Sequence, residues 1–412
     1  MRNPTATQLT TFVCAAEVFS MIGLATFAAL LPIFIDTWQL SKTDAGWING
    51  IYFAGYLASV PVLVSLTDRM APRKIYLFCM VLSALGSLGF ATVTDGFWTA
   101  MIFRAISGIG LAGTYMPGLK LLTDLLERNE PGRDNSRAVA FYTSSFGVGT
   151  SISYFMAGEL ATIWSWQVAF GATVVGPIIA GLMILFLLPG EDTKPEQHPG
   201  THLLDFRPVL RCKPAMAYVM AYTVHNFELF AYRSWVVTFL IYSAGTNPGQ
   251  TLIISATAWA AVFNLFGLPA SVLGNELSRR IGRHRAITII MWASALMACV
   301  LGFSAELPFM VVVAMALIYG MLITGESSSV TAGVVGAAPT GYRGATMAVH
   351  SCIGFMGSFA GPLMFGVMLD LSASDGNGGT TTESWGWAFV FAGAVVALGP
   401  LFIYFLGRSQ RE

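Results

Sequence analysis

Twelve long apolar runs, each closed by a short polar turn, leave this chain very few folds to adopt. The first six lie near residues 10–35, 44–66, 75–93, 98–121, 137–162 and 167–189. A polar stretch intervenes, and six more follow near 215–242, 251–277, 286–304, 308–335, 343–370 and 386–406. A helix needs about 20 mostly apolar residues to cross a bilayer, and runs of this size supply them. None shows the two-residue alternation of a barrel strand. The expectation is an all-α integral membrane protein with twelve transmembrane helices in two pseudo-symmetric six-helix bundles.

Composition agrees. Charged residues make up 11% of the 412-residue chain and hydrophobic ones 55%, whereas a soluble domain carries about 25% charge. Lys and Arg (22) balance Asp and Glu (22), so bulk electrostatics does not draw the chain to nucleic acid. The first run is longer than the apolar region of a secretory signal, about 7–15 residues, and reads as a span. Cys14, Cys79, Cys212, Cys299 and Cys352 are scattered, with no CxxC or Cys/His cluster. They are expected as free thiols, and no metal or cofactor is expected.

The positive charges set the orientation. With the first residue inside, the inner segments hold Arg2; Arg69, Arg73, Lys74; Lys120, Arg128, Arg133, Arg137; Lys194, Arg207, Arg211, Lys213; Arg279, Arg280, Arg283, Arg285; Arg343; and Arg408, Arg411. That is nineteen of the 22, with Lys42 outside and Arg104 and Arg233 within spans. Both termini are therefore expected in the cytoplasm, with the chain in the cell inner membrane. Residues 1–189 and 214–412 are the expected bundles, and 190–213 the linker. Within that linker "LLDFRPVL" suits a short amphipathic helix on the membrane surface, and 371–384 reads as an outer loop.

The halves echo each other. "SLTDRMAPRK" (Ser65–Lys74) follows the second span and "GNELSRRIGRHR" (Gly274–Arg285) the eighth. "SRAVAFYTSSFGVG" opens the fifth span and "YRGATMAVHSCIGFMG" the eleventh, while "WSWQVAF" precedes the sixth and "WGWAFVF" the twelfth. On these residues the chain resembles the major facilitator superfamily along its whole length. The motif of that family after the second span reads roughly G-x-L-x-D-R-x-G-R-K. Asp68 and Arg69 match it, Ala71-Pro72 replaces Gly-Arg, and Arg73-Lys74 is displaced by one position. In the second copy Arg280, Gly282 and Arg283 match, while Arg279 takes the usual acidic place. "FRAISGIGLAGTY" (Phe103–Tyr115) is similar to the fourth-span motif, with Arg104 in its arginine position.

The resemblance implies a conformational latch of Asp68, Arg69, Arg73, Asp124, Arg280 and Arg283, in which Asp68 caps the N-terminal end of the eleventh span and Arg73 pairs with Asp124. A carboxylate at a helix N-terminus is also favoured by the helix dipole. Glycines 108, 110 and 113 should let helices approach closely, and Pro117, Pro362 and the glycines around residue 357 suggest bends. The fifth span, "GVGTSISYFMAG", lacks the proline of proton-antiporting drug exporters.

Ionisable groups at bilayer depth cost about 2.5–3.5 kcal/mol on insertion scales, so each is a functional candidate. The seventh span places Glu228 near its middle, His225 three residues earlier on the same face, and Arg233 about 7 Å further out. Arg104 falls at a similar depth in the other half. Two guanidinium forks at one depth suit an oxyanion, although Arg104 also fits a structural role between helices. Glu326, His350 and Glu17 lie on the inner side of the middle. With Glu228 and His225 they are the candidates for proton coupling. Tyr115, Tyr142, Trp259 and Asn264 are candidate substrate contacts, because their polar atoms need partners in lipid.

No GxxxxGK[ST] motif occurs, so nucleotide hydrolysis is not expected to drive the protein, and no enzyme constellation is present. The leading expectation is a secondary transporter, working as a monomer and binding a small anionic organic solute and protons by alternating access. The alternative is a proton-driven exporter of amphipathic or cationic compounds. A receptor on the same scaffold is a third reading, without an appended domain to support it.

Overall fold

The computed structural model describes residues 4–67, 70–132, 135–189, 206–246, 254–373 and 380–407. Helices in chain order are α1 (Ala6–Ser20), α2 (Thr26–Ala29), α3 (Leu31–Trp38), α4 (Lys42–Leu66), α5 (Pro72–Val93), α6 (Phe97–Ala112), α7 (Tyr115–Asn129), α8 (Ser136–Ile163), α9 (Trp166–Thr173) and α10 (Val175–Phe186). They continue as α11 (Arg207–Arg211), α12 (Lys213–Thr246), α13 (Ala256–Ile281), α14 (Arg283–Gly302), α15 (Phe309–Gly325), α16 (Ser327–Gly336), α17 (Arg343–Leu371), α18 (Thr382–Val396) and α19 (Leu398–Gly407). Joined across their internal breaks, α1–α3, α6–α7, α9–α10, α15–α16 and α18–α19 are single spans. With α4, α5, α8, α12, α13, α14 and α17 they make the twelve-helix fold expected from the apolar runs. The short α11 falls on the "FRPVL" part of the linker, with Val209 buried and Leu210 exposed.

Prolines account for most of the breaks. A proline removes a backbone donor and crowds the carbonyl four residues back. Pro177 therefore ends α9 at Thr173, Pro400 ends α18 at Val396, and Pro117 sets the break at Gly113 and Thr114 between α6 and α7. Two breaks have no proline. One follows Glu17, where α1 stops at Ser20 and helix resumes at Thr26; the other is at Glu326, between α15 and α16. At the first break Ser153 supplies a substitute acceptor, taking the Ala25 N–H at 3.0 Å.

Seven spans among the described residues are long and apolar enough to cross a membrane: α5, α9–α10, α13, α14, α15–α16, α17 and α18–α19.

By internal contacts the chain divides into two units, Met1–Leu30 with Ile51–Thr201, and Leu31–Gly50 with His202–Glu412. In the first, α1 packs on α7, α8 and α10, and α5 on α6, α9 and α10. Leu9, Val13, Tyr76, Leu122, Leu125 and Ile184 fill its core. A Cβ on Gly108 would collide with the Tyr52 carbonyl, so glycine there lets α6 touch α4 backbone to backbone. In the second unit α12 is the hub, packing on α15, α16, α17, α18 and α19. Gly354, Gly357 and Gly361 line the α17 face that meets α12. The aromatic cluster of Trp235, Phe239, Phe365, Trp385 and Phe389 fills one end. Asp370 and the first turn of α4 also fall in this unit. The Lys42 and Thr43 N–H groups donate to the Asp370 carboxylate at 3.1 and 2.7 Å, and the Thr43 hydroxyl at 2.6 Å.

Candidate functional site

The ionisable residues of the second unit converge on α12. One helical turn separates His225 from Glu228, so both face the same neighbours. His225 Nδ1 lies 2.9 Å from Glu326 Oε1, and neither residue is more than 1% exposed. Glu326 is the single residue between α15 and α16, with φ −90° and ψ −10°. On the next turn Glu228 Oε1 accepts the Ser294 hydroxyl at 2.9 Å and the Tyr319 hydroxyl at 3.0 Å. Glu228 Oε2 and Glu326 Oε2 are both buried without a hydrogen-bond partner.

A ring ladder extends the cluster. His350, from α17, stacks on Tyr222 with centroids 3.9 Å apart, and Tyr222 lies 5.7 Å from the His225 ring. His350 Nδ1 is likewise buried and unpartnered. Tyr319 meets Tyr232 edge to face at 5.1 Å, and the Tyr232 hydroxyl donates to the Ala316 carbonyl at 2.7 Å. Two carboxyls and two imidazoles in a site closed to water have too few partners for all to carry charge. An arrangement of this kind can take up or release a proton, and the unfilled carboxyl oxygens leave acceptors for it.

Of the charged and histidine candidates, the structure thus brings together His225, Glu228, Glu326 and His350. Residues 13–362 match the family model of the Major Facilitator Superfamily. The chain belongs to this superfamily. It is therefore a multi-pass membrane protein of a family of transporters rather than enzymes. Human "Protein spinster homolog 1" is 22% identical over 294 residues, 66% of this chain and 54% of the relative. The "Hexuronate transporter" of Bacillus subtilis (strain 168) is 24% identical over 269 residues, 63% of this chain and 62% of the relative. The match thus spans from about half to under two thirds of these curated relatives. Among solved structures, the inward-facing, occupied form of a bacterial homolog of the human lysosomal transporter Spinster aligns with a TM-score of 0.79. It is 15% identical and covers 99% of this chain and 98% of that one. The nucleoside transporter NupG aligns at 0.75, with 14% identity and 98% and 99% coverage. These two show the superfamily fold.

The remaining candidates distribute over both units. Arg104 is 2% exposed, its guanidinium 4.3 Å from the Tyr52 ring centroid and 5.5 Å from that of Phe27. Arg233 is only partly buried and lies 5.5 Å over Phe230. Glu17 is 0% exposed, and Tyr142 Oη lies 2.9 Å from its Oε2. Tyr115 stacks on Tyr142 at 5.9 Å. On α13, Trp259 stacks on Phe263, and Asn264 Nδ2 donates to the Ala260 carbonyl, leaving Asn264 Oδ1 and Trp259 Nε1 without partners.

The superfamily latch differs from expectation. Asp68 and Arg69 lie outside the described residues. Arg73 does not meet Asp124. Its guanidinium donates to the Leu185 and Pro189 carbonyls at the end of α10, while Asp124 pairs with Lys120 at 3.2 Å. The last carbonyls of a helix lack internal donors, and an arginine within reach satisfies them. Arg280 pairs with Glu276 at 3.1 Å, and Arg283 lies against Tyr218.

Sequence reading passed over Ser294, Tyr319 and Tyr222. Tyr222 sits three residues before His225 and Tyr319 seven before Glu326, both spacings that share a helix face. Ser294 was detectable only as a hydroxyl at bilayer depth that needs a partner.

Proposed function

We propose that the chain is a secondary active transporter that moves a small organic anion across the cell inner membrane by alternating access, coupled to protons. The observation that carries this reading is the closed His225–Glu326 and Glu228 cluster on α12. It is built from groups that exchange protons and lies at a break in a span, where a helix bends most readily. Arg104 in the first unit and Arg233 in the second are the cationic groups that attract the anion, and Arg233 is the more accessible. A relative named for hexuronate, a sugar acid, supports a carboxylate solute. The positive charges outside the spans support cytoplasmic termini.

Uptake of a hexuronate into proteoliposomes under an inward proton gradient tests the proposal. Wild-type protein should accumulate the solute, and Arg233→Ala should lower the uptake at least about tenfold, as expected for loss of a charged contact. Undiminished uptake by Arg233→Ala would remove the anion role. Accumulation without a proton gradient would remove the coupling.

A further inference from the structure

The first unit holds a buried acid, Glu17, apart from the α12 cluster. The Tyr142 hydroxyl, from α8, touches three oxygens: Glu17 Oε2 at 2.9 Å, Tyr115 O at 2.9 Å and Thr114 O at 3.1 Å. A phenol has one hydrogen. If Glu17 were a carboxylate, that hydrogen would go to it, and Tyr142 Oη would then press on two carbonyl oxygens with no hydrogen between. The Ser20 hydroxyl does not relieve the shortage: it lies 2.8 Å from the Glu17 carbonyl and 3.4 Å from Oε2, so the carbonyl takes its hydrogen. Glu17 Oε1 is buried with no partner at all. A bare charged oxygen there is far costlier than the carbonyl oxygen of a neutral acid.

From this count of donors we infer that Glu17 binds a proton, donates it to Tyr142 Oη, and thereby frees the Tyr142 hydrogen for the carbonyls at the α6–α7 break. The Glu17 contact then contains one hydrogen, and the Tyr142 hydrogen is shared between the two carbonyls. Loss of the proton to solvent pulls the Tyr142 hydrogen back to Glu17 and leaves Tyr142 Oη against Tyr115 O and Thr114 O, the latter already accepting the Gly118 N–H at 2.8 Å, with no hydrogen between them. Glu17 and Tyr142 therefore form a proton-dependent joint between the broken first span, the broken fourth span and α8.

The titratable groups facing Glu17 are Tyr142 from α8, Tyr76 from α5, Tyr52 from α4 and Cys14 on its own helix. Tyr115 of α7 lies behind Tyr142, Arg104 of α6 is held over Tyr52, and α10 contributes no titratable residue. A cavity of about 660 Å³ between α1 and α8 is lined by Thr10, Cys14, Arg137, Phe141 and Ser145. Its wall residues Cys14 and Ser145 lie three positions along the chain from Glu17 and Tyr142.

This inference stands apart from the α12 cluster and from any choice of solute, and its test needs no transport. Carbodiimide couples to protonated carboxyls in apolar sites, and peptide mass spectrometry locates the adduct on the purified full chain. Glu17 should be labelled at pH 7, with labelling falling at higher pH. In Tyr142→Phe the acid loses the oxygen that accepts its proton, so the midpoint should move down by about one pH unit. A midpoint that rises in Tyr142→Phe means that Tyr142 had been donating to a carboxylate, and overturns the inference. So does an unmodified Glu17 at pH 7. If Tyr142→Phe fails to fold, Glu17→Gln decides: its amide donates to Tyr142 Oη as the acid does, so thermal stability should match wild type. A large loss of stability in Glu17→Gln would contradict a bound proton.

Discussion

Asp370 caps α4 through Thr43: one carboxylate takes the Thr43 N–H at 2.7 Å and its hydroxyl at 2.6 Å. The cap comes from the far end of α17, 327 residues along the chain. Negative charge at a helix N-terminus meets both the unpaired N–H groups and the positive end of the dipole. Asp370→Ala should therefore lower stability by about 1–2 kcal/mol, with Asp370→Asn intermediate. Thermal unfolding in detergent measures it, and an unchanged melting temperature in Asp370→Ala would show the cap to be idle.

Glu228 is held by two hydroxyl donors. Removing one leaves a buried acceptor short, at about 1–3 kcal/mol. Tyr319→Phe and Ser294→Ala should each destabilise by that order, and the pair should be non-additive because both serve one oxygen. A double-mutant cycle by thermal unfolding reads this directly. Strict additivity would show that the two hydroxyls do not share the carboxyl.

The His225–Glu326 contact predicts a separation of binding from coupling. Glu326→Gln keeps the size of the side chain and removes its proton exchange. Proteoliposomes with Glu326→Gln should still exchange solute across the membrane while no longer concentrating it under a proton gradient. If accumulation and its pH profile persist, Glu326 is not on the proton path.

Close helix contact on α17 predicts sharp position dependence. A methyl at Gly357 meets the Thr223 carbonyl and the Phe227 nitrogen of α12, whereas one at Gly344 meets nothing within 4 Å. Gly357→Ala should destabilise by about 1–3 kcal/mol, and Gly344→Ala should be neutral or slightly stabilising. Comparable melting temperatures for the two variants would contradict the backbone contact between α12 and α17.

The twelve spans were readable because lipid forces every backbone group into helix and so writes each span as an apolar run. Charge at depth was readable for the same reason: Glu228, His225, Glu326 and His350 stood out individually. Their pairing was not, because His225 and Glu326 are 101 residues apart and no local pattern links them. Tyr142 stands out in the sequence as a polar aromatic at depth, but its hydroxyl's partners, Glu17 and the Thr114 and Tyr115 carbonyls, lie 125, 28 and 27 residues away and no local pattern links them. Arg73 was assigned an acidic partner by resemblance. It met instead the end of α10, whose unsatisfied carbonyls are a property of the folded helix and leave no mark in the sequence.

The two span breaks without a proline have a consequence beyond geometry. A proline break is permanent, since the missing donor cannot be restored. The breaks beside Glu17 and at Glu326 retain all their backbone donors, so each can re-form as continuous helix. Nothing covalent therefore holds either interruption open, in contrast to those set by Pro117, Pro177 and Pro400.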